Sequence, residues 1–144
     1  MMREELMRLI PHAGAMCLLE RAERWTPEYI RCWSRTHHDA GHPLRRQGKV
    51  HAIHAVEYGA QAAALHGALL EDGDGESPSG ALLVAVRKVR LYQAYLDAVD
   101  GDLLVEAWRE QGDSAGMSYR FSVSGGDTVV AEGRLLVAGG RDEE

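Results

Sequence analysis

The chain has 144 residues, enough for one domain with a true core and too few for two. Its 16 Lys and Arg against 22 Asp and Glu give a formal charge of −6, which excludes binding dominated by nucleic-acid phosphates or an anionic membrane but leaves room for a local basic patch. Cys17 and Cys32 fall in stretches with strand character, and Arg3, Glu4, Glu5 and Arg8 interrupt the apolar run a secretory leader needs, so the expectation is a cytoplasmic protein with packed thiols.

In chain order, Leu6, Leu9 and Ile10 at helical spacing predict a short amphipathic helix over 1–10, stopped by Pro11. A Pro- and Gly-bearing turn then leads into a first strand over 17–25, and Pro27 marks the next turn. Over 29–35 the residues alternate, with Ile30, Cys32 and Ser34 on one face and Tyr29, Arg31, Trp33 and Arg35 on the other, as in a second strand. Residues 36–50 have no period and are rich in His, Arg, Gly and Pro; they form a loop that delivers the chain to its most unusual stretch.

That stretch, 52–70, is an alanine- and leucine-rich helix on which His54, Glu57 and Gln61 line one stripe at i, i+3 and i+7. A helix apolar on nearly every side is buried, and a carboxylate on it is costly unless it is paired, hydrogen-bonded or protonated, which makes Glu57 the leading candidate for a working residue. The same polar groups argue against a membrane span. Residues 71–80 have the composition of an exposed connection. Strands are expected over 81–92, 103–109, 117–124 and 129–138, the last two joined by a hairpin at Gly125-Gly126-Asp127. The sum is an α+β domain over 1–138, an antiparallel sheet folded around one helix, with a loose tail at 139–144.

This layout, with Leu9-Ile-Pro-His-Ala-Gly-Ala-Met-Cys-Leu-Leu-Glu near the start, Gly41-His42-Pro43 before the helix and Glu57-x-x-x-Gln61 on it, resembles the hotdog-fold 3-hydroxyacyl-carrier-protein dehydratases of the FabA/FabZ type. It looks most like a divergent branch found in aryl-polyene clusters, and the resemblance runs over roughly residues 9–137. It implies a hotdog fold, the dehydration of a 3-hydroxyacyl thioester to the trans-2-enoyl thioester, and a dimer, homo- or heteromeric, whose subunits share each site. It also implies acyl carrier protein as partner, with no cofactor beyond the phosphopantetheine that carries the substrate. Glu57 matches the family's helix acid, Gln61 the glutamine one turn later, and His42 the turn histidine. Pro43-Leu44-Arg45 stands where the family has Phe-Pro-Gly, so His37 and His38 are kept as fallback bases.

The chemistry asks for a base at C2, an acid at the C3 hydroxyl and a donor for the thioester oxygen. Neutral His42 suits the base and a protonated Glu57 the acid, the two meeting across the dimer interface, and the backbone N–H groups at the helix start, around Ala52 and Ile53, suit the donor. Opposite protonation states imply a bell-shaped pH–rate profile. Arg45, Arg46 and Lys49 form the basic cluster expected to meet the phosphopantetheine phosphate and an acidic carrier protein. The alternatives on the same fold are a non-catalytic subunit that stabilises an active dehydratase, and a thioester hydrolase in which Glu57 activates water. His51, His54 and Glu57 share a helical face but match no metal signature, so no metal is expected. His12 is expected to close the Pro11 turn and His66 to be a satisfied helix-face histidine.

Overall fold

A computed structural model describes residues 1–10, 16–70, 82–113 and 116–138. The expected Pro11 turn with His12, the 71–80 connection and the 139–144 tail lie outside the described residues. The elements are α1 (Arg3–Leu9), β1 (Arg21–Thr26), β2 (Tyr29–Ser34), α2 (Ala55–Leu70), β3 (Leu82–Leu91), β4 (Leu103–Asp113), β5 (Gly116–Gly125) and β6 (Thr128–Ala138). The six strands form one antiparallel sheet in the order β1-β2-β4-β5-β6-β3, so β1 and β3 are its edges. α2 lies across β2, β4, β5 and β6. No helix among the described residues is long and apolar enough to cross a membrane.

The alternation read from β2 is what the strand shows. Ile30, Cys32 and Ser34 are buried under the helix, and Tyr29, Arg31 and Trp33 face outward. Both cysteines are free and buried. The first strand begins at Arg21 rather than at residue 17, because the Leu18 N–H and C=O are bound by side chains and not by a neighbouring strand: the N–H by Gln61 and the C=O by Ser34 and Thr36. The first turn of the central helix, Ala52–His54, is 3-10 rather than α.

The small residues of α2 explain how close the helix sits. A Cβ at Gly59 would lie 2.6 Å from Phe121 Cδ1, and one at Gly133 would lie 3.0 Å from Phe121 Cε2. The chain's one phenylalanine thus fills a slot between a helix glycine and a strand glycine. Gly59 therefore serves close helix–sheet packing. Gly59→Ala is expected to overpack this contact and destabilise the fold by about 1–3 kcal/mol in urea unfolding; an unchanged midpoint would show that the slot is loose.

Candidate functional site

The stripe read from the sequence runs from the surface into the core. His54 and Glu57 are half-buried, and Gln61 is 1% exposed. The Gln61 amide is fully used: its Nε2 donates to Met16 O at 2.7 Å and to Glu57 Oε2 at 3.1 Å, and its Oε1 accepts from Leu18 N at 2.8 Å. Gln61 therefore orients the Glu57 carboxylate and fastens the incoming segment at residues 16–18 to the helix.

His42 is 5% exposed and both its ring nitrogens are engaged. Leu44 N donates to Nδ1 at 3.0 Å, and Nε2 lies 3.0 Å from the Tyr58 hydroxyl. Tyr58, the residue after Glu57, is wholly buried, and its hydroxyl meets Thr36 Oγ1 at 2.8 Å. Thr36 Oγ1 and Ser34 Oγ both reach Leu18 O, at 3.0 Å and 2.6 Å. The same three-residue segment that holds Gln61 thus also anchors the chain of bonds ending at His42. Burial, reinforced by the Arg45 guanidinium, holds the His42 imidazole below its usual pKa, and burial pushes the Tyr58 phenol up to about 12.

The basic cluster divides in two. Arg45 is turned inward and its donors are spent on the loop: Nε on Asp39 O, Nη1 on Gly48 O and Asp97 Oδ2 (2.7 Å), and Nη2 on His37 O and Asp39 O. Burial works against the Asp97 charge, but the Val50 N–H and the Arg45 guanidinium outweigh it and hold the carboxyl below its usual range. Arg46 and Lys49 remain exposed, with Lys49 Nζ 5.2 Å from the Tyr95 ring.

At the helix start, Ala52 N–H donates to Ala94 O at 2.9 Å, so of the two amides expected to hold a thioester oxygen only that of Ile53, whose side chain is exposed, stays a candidate. His37 is buried, with Nε2–H donating to Val99 O; exposed His38 donates to Gly101 O. His66 is the satisfied histidine the sequence suggested, accepting from Tyr119 OH and donating to Thr26 O, each at 2.7 Å. Among the described residues no group of three or more His, Cys, Asp or Glu side chains is placed to hold a metal.

Sequence reasoning missed Tyr58, Ser34, Thr36 and Asp97. Tyr58 had one legible signal, a large polar ring in a helix otherwise built of small and aliphatic residues.

A protein-family model described as ApeP-like, ApeP dehydratase, matches residues 4–144. Comparison with curated proteins gives no sequence match. Among solved structures the chain is similar to the dehydratase heterocomplex ApeI:P from Xenorhabdus doucetiae, with TM-score 0.84 and 22% identity over 95% of this chain and 91% of that one. It is also similar to AziG from S. sahachiroi, with TM-score 0.65 and 18% identity over 92% and 98% of the two chains. A mutant thioesterase from Staphylococcus aureus subsp. aureus Mu50 shares the fold at TM-score 0.57 and 13% identity, over 82% and 92%. These likenesses establish the hotdog fold.

The buried imidazoles set a pH dependence of stability. His37, His42, His54 and His66 are all held below the usual histidine value, in each case chiefly by burial. The unfolded chain takes up protons near pH ~6.5 that the folded one resists, so their stability contribution is complete above that pH and is lost below it. The denaturation midpoint is expected to fall steadily from pH 7.5 to 5; a level midpoint across that range would contradict the burial of these rings.

Proposed function

For a chain that belongs to the ApeP-like dehydratase family, we propose the dehydration of a 3-hydroxyacyl thioester, carried on acyl carrier protein, to the trans-2-enoyl thioester in polyene or fatty-acid-like biosynthesis. The observation that carries this reading is Glu57, a carboxylate on an apolar helix, oriented by a buried amide and placed one residue from the tyrosine that binds His42. Glu57 and His42 supply the polar pair at the reacting carbons, and Gln61 is a positioning residue.

The site is completed by a second subunit. β3 is an edge whose outward backbone has no strand beside it among the described residues, and Leu83, Val86, Leu91 and Tyr92 are exposed on or beside it. The edge is long and carries exposed Arg87, Lys88 and Arg90 beside those apolar side chains, and a second chain that pairs with it would have to meet both. The similarity to a heterocomplex of dehydratase subunits supports a related chain or a second copy as that partner.

The test supplies the chain, with its partner subunit, with a 3-hydroxyacyl thioester and follows enoyl absorbance against free-thiol release. Enoyl formation with a loss of about 100-fold or more in Glu57→Gln supports the dehydratase. Thiol release instead makes the chain a hydrolase, the activity of the Staphylococcus neighbour, and no product from a tight heteromer makes it a scaffold subunit. For carrier docking, the double variant Arg46→Glu, Lys49→Glu is expected to raise KM for carrier-bound substrate by about tenfold or more and leave a small thioester analogue unaffected. Arg45 is left intact because it staples the loop. Equal loss on both substrates would refute docking at this patch.

A further inference from the structure

We propose that Tyr58 is the positioning residue of His42: its hydroxyl, anchored through Thr36 to the Leu18 carbonyl, aims the imidazole for the reaction. The proposal deepens the dehydratase reading and rests on it.

The need for such a group lies in where His42 sits. It is carried by the irregular segment between the 3-10 turns Thr36–His38 and Ala52–His54, where no helix or strand sets the direction of a side chain. Of the ring's two bonds, the one from Leu44 N–H to Nδ1 at 3.0 Å comes from two residues further along the same loop and moves with it. The other, between Nε2 and the Tyr58 hydroxyl at 3.0 Å, refers the ring to the body of the fold.

Tyr58 has the fixed frame that the loop lacks. It belongs to α2 and is wholly buried; its hydroxyl meets Thr36 Oγ1 at 2.8 Å, and the Thr36 hydroxyl lies 3.0 Å from Leu18 O. Ser34, the last residue of β2, donates to the same carbonyl at 2.6 Å and lies 2.9 Å from Thr36 Oγ1. Helix, strand and entering segment thus meet on one run of hydroxyls that stops at a loop-borne ring. Side chains on rigid elements hold a reacting group more closely than a loop can by itself.

Net stability is not what such a run supplies. Ser34, Thr36, His42 and Tyr58 are each 5% exposed or less, and a buried polar network gains little over apolar side chains of the same shape. What it supplies is direction. The contrast is the buried pair His66 and Tyr119: His66 sits on α2, accepts from Tyr119 OH and donates to Thr26 O, each at 2.7 Å. There the helix already sets the histidine, and the tyrosine ties a strand to it. At His42 the tyrosine is on the helix and the histidine is on the loop, so the aiming runs the other way. Tyr58 touches no reacting atom and acts through the imidazole, where a misplacement of about 1 Å can cost on the order of 100-fold in rate.

The test is a double-mutant cycle on the chain with its partner subunit, read as the rate of enoyl formation. Tyr58→Phe removes one oxygen and is expected to lower kcat about tenfold or more while KM changes less than about twofold. In a His42→Ala background the same substitution is expected to slow the residual rate no further, because the ring it acts through is gone. Thr36→Ser keeps the hydroxyl and is expected to stay within about twofold of wild type, whereas Thr36→Val repeats the loss of Tyr58→Phe. This second pair carries the test should Tyr58→Phe fail to fold. Tyr119→Phe is expected to lower the denaturation midpoint and leave kcat unchanged. An unchanged kcat in folded Tyr58→Phe, an equal loss with and without the His42 ring, no difference between Thr36→Ser and Thr36→Val, or a loss of kcat in Tyr119→Phe as large as in Tyr58→Phe overturns the role of Tyr58 alone. A wild type that forms no enoyl product with its partner present overturns the dehydratase reading and the role together.

Discussion

A polar side chain on a helix buried against a sheet persists only where every one of its hydrogen-bonding groups finds a partner, and Gln61 is where this constraint is tightest. Its amide reaches Met16 O, Leu18 N and Glu57 Oε2, so one side chain joins the entering segment to the helix and sets the direction of the carboxylate. The carbonyl of the same residue, Leu18, accepts from Ser34 and Thr36, and Thr36 leads through Tyr58 to His42. Two residues fifteen positions apart in the chain, His42 and Glu57, are thereby referred to the same short piece of backbone. Losing that segment's irregular path would release both at once.

The loop that bears His42 is held from the other side. The Arg45 guanidinium collects carbonyls from His37, Asp39 and Gly48 and closes on Asp97, which also accepts from Val50 N. Removing either partner of so sheltered a pair leaves a charge without compensation, a larger penalty than the pair's own net worth. The arrangement fixes the turn from which Leu44 N–H points at His42, and so bears indirectly on the protonation state of the imidazole. Stability and chemistry here rest on the same bonds, and the fall in the histidines' pKa is the electrostatic trace of that burial.

The fold leaves the reaction open. Similar structures include a dehydratase heterocomplex and a thioesterase, and one sheet wrapped on one helix serves both. What distinguishes a dehydratase is which group can take a proton from carbon and which can steady the thioester oxygen. The groups this chain offers for that distinction are the hydrogen-bonded imidazole of His42 and the Glu57 carboxylate oriented by Gln61.

The sequence alone determined the architecture and placed a carboxylate, Glu57, on the central helix. The period of two in Tyr29–Ser34, the hairpin glycines, and a carboxylate and an amide at i and i+4 on an alanine-rich helix are local patterns, and local patterns survive without knowledge of what packs against them. It also gave the family through its motifs. Tertiary structure alone decided that Gly59 is a packing contact, that Ala52 N–H is taken by Ala94, that Arg45 faces inward, and that Tyr58 holds His42. Each of these depends on a partner 16 to 62 residues away in the chain, and spacing along a sequence carries no record of which distant donor meets which acceptor. The tautomer of a histidine is the extreme case, since it is set by the hydrogen-bonding direction of the neighbours that the fold brings to the ring.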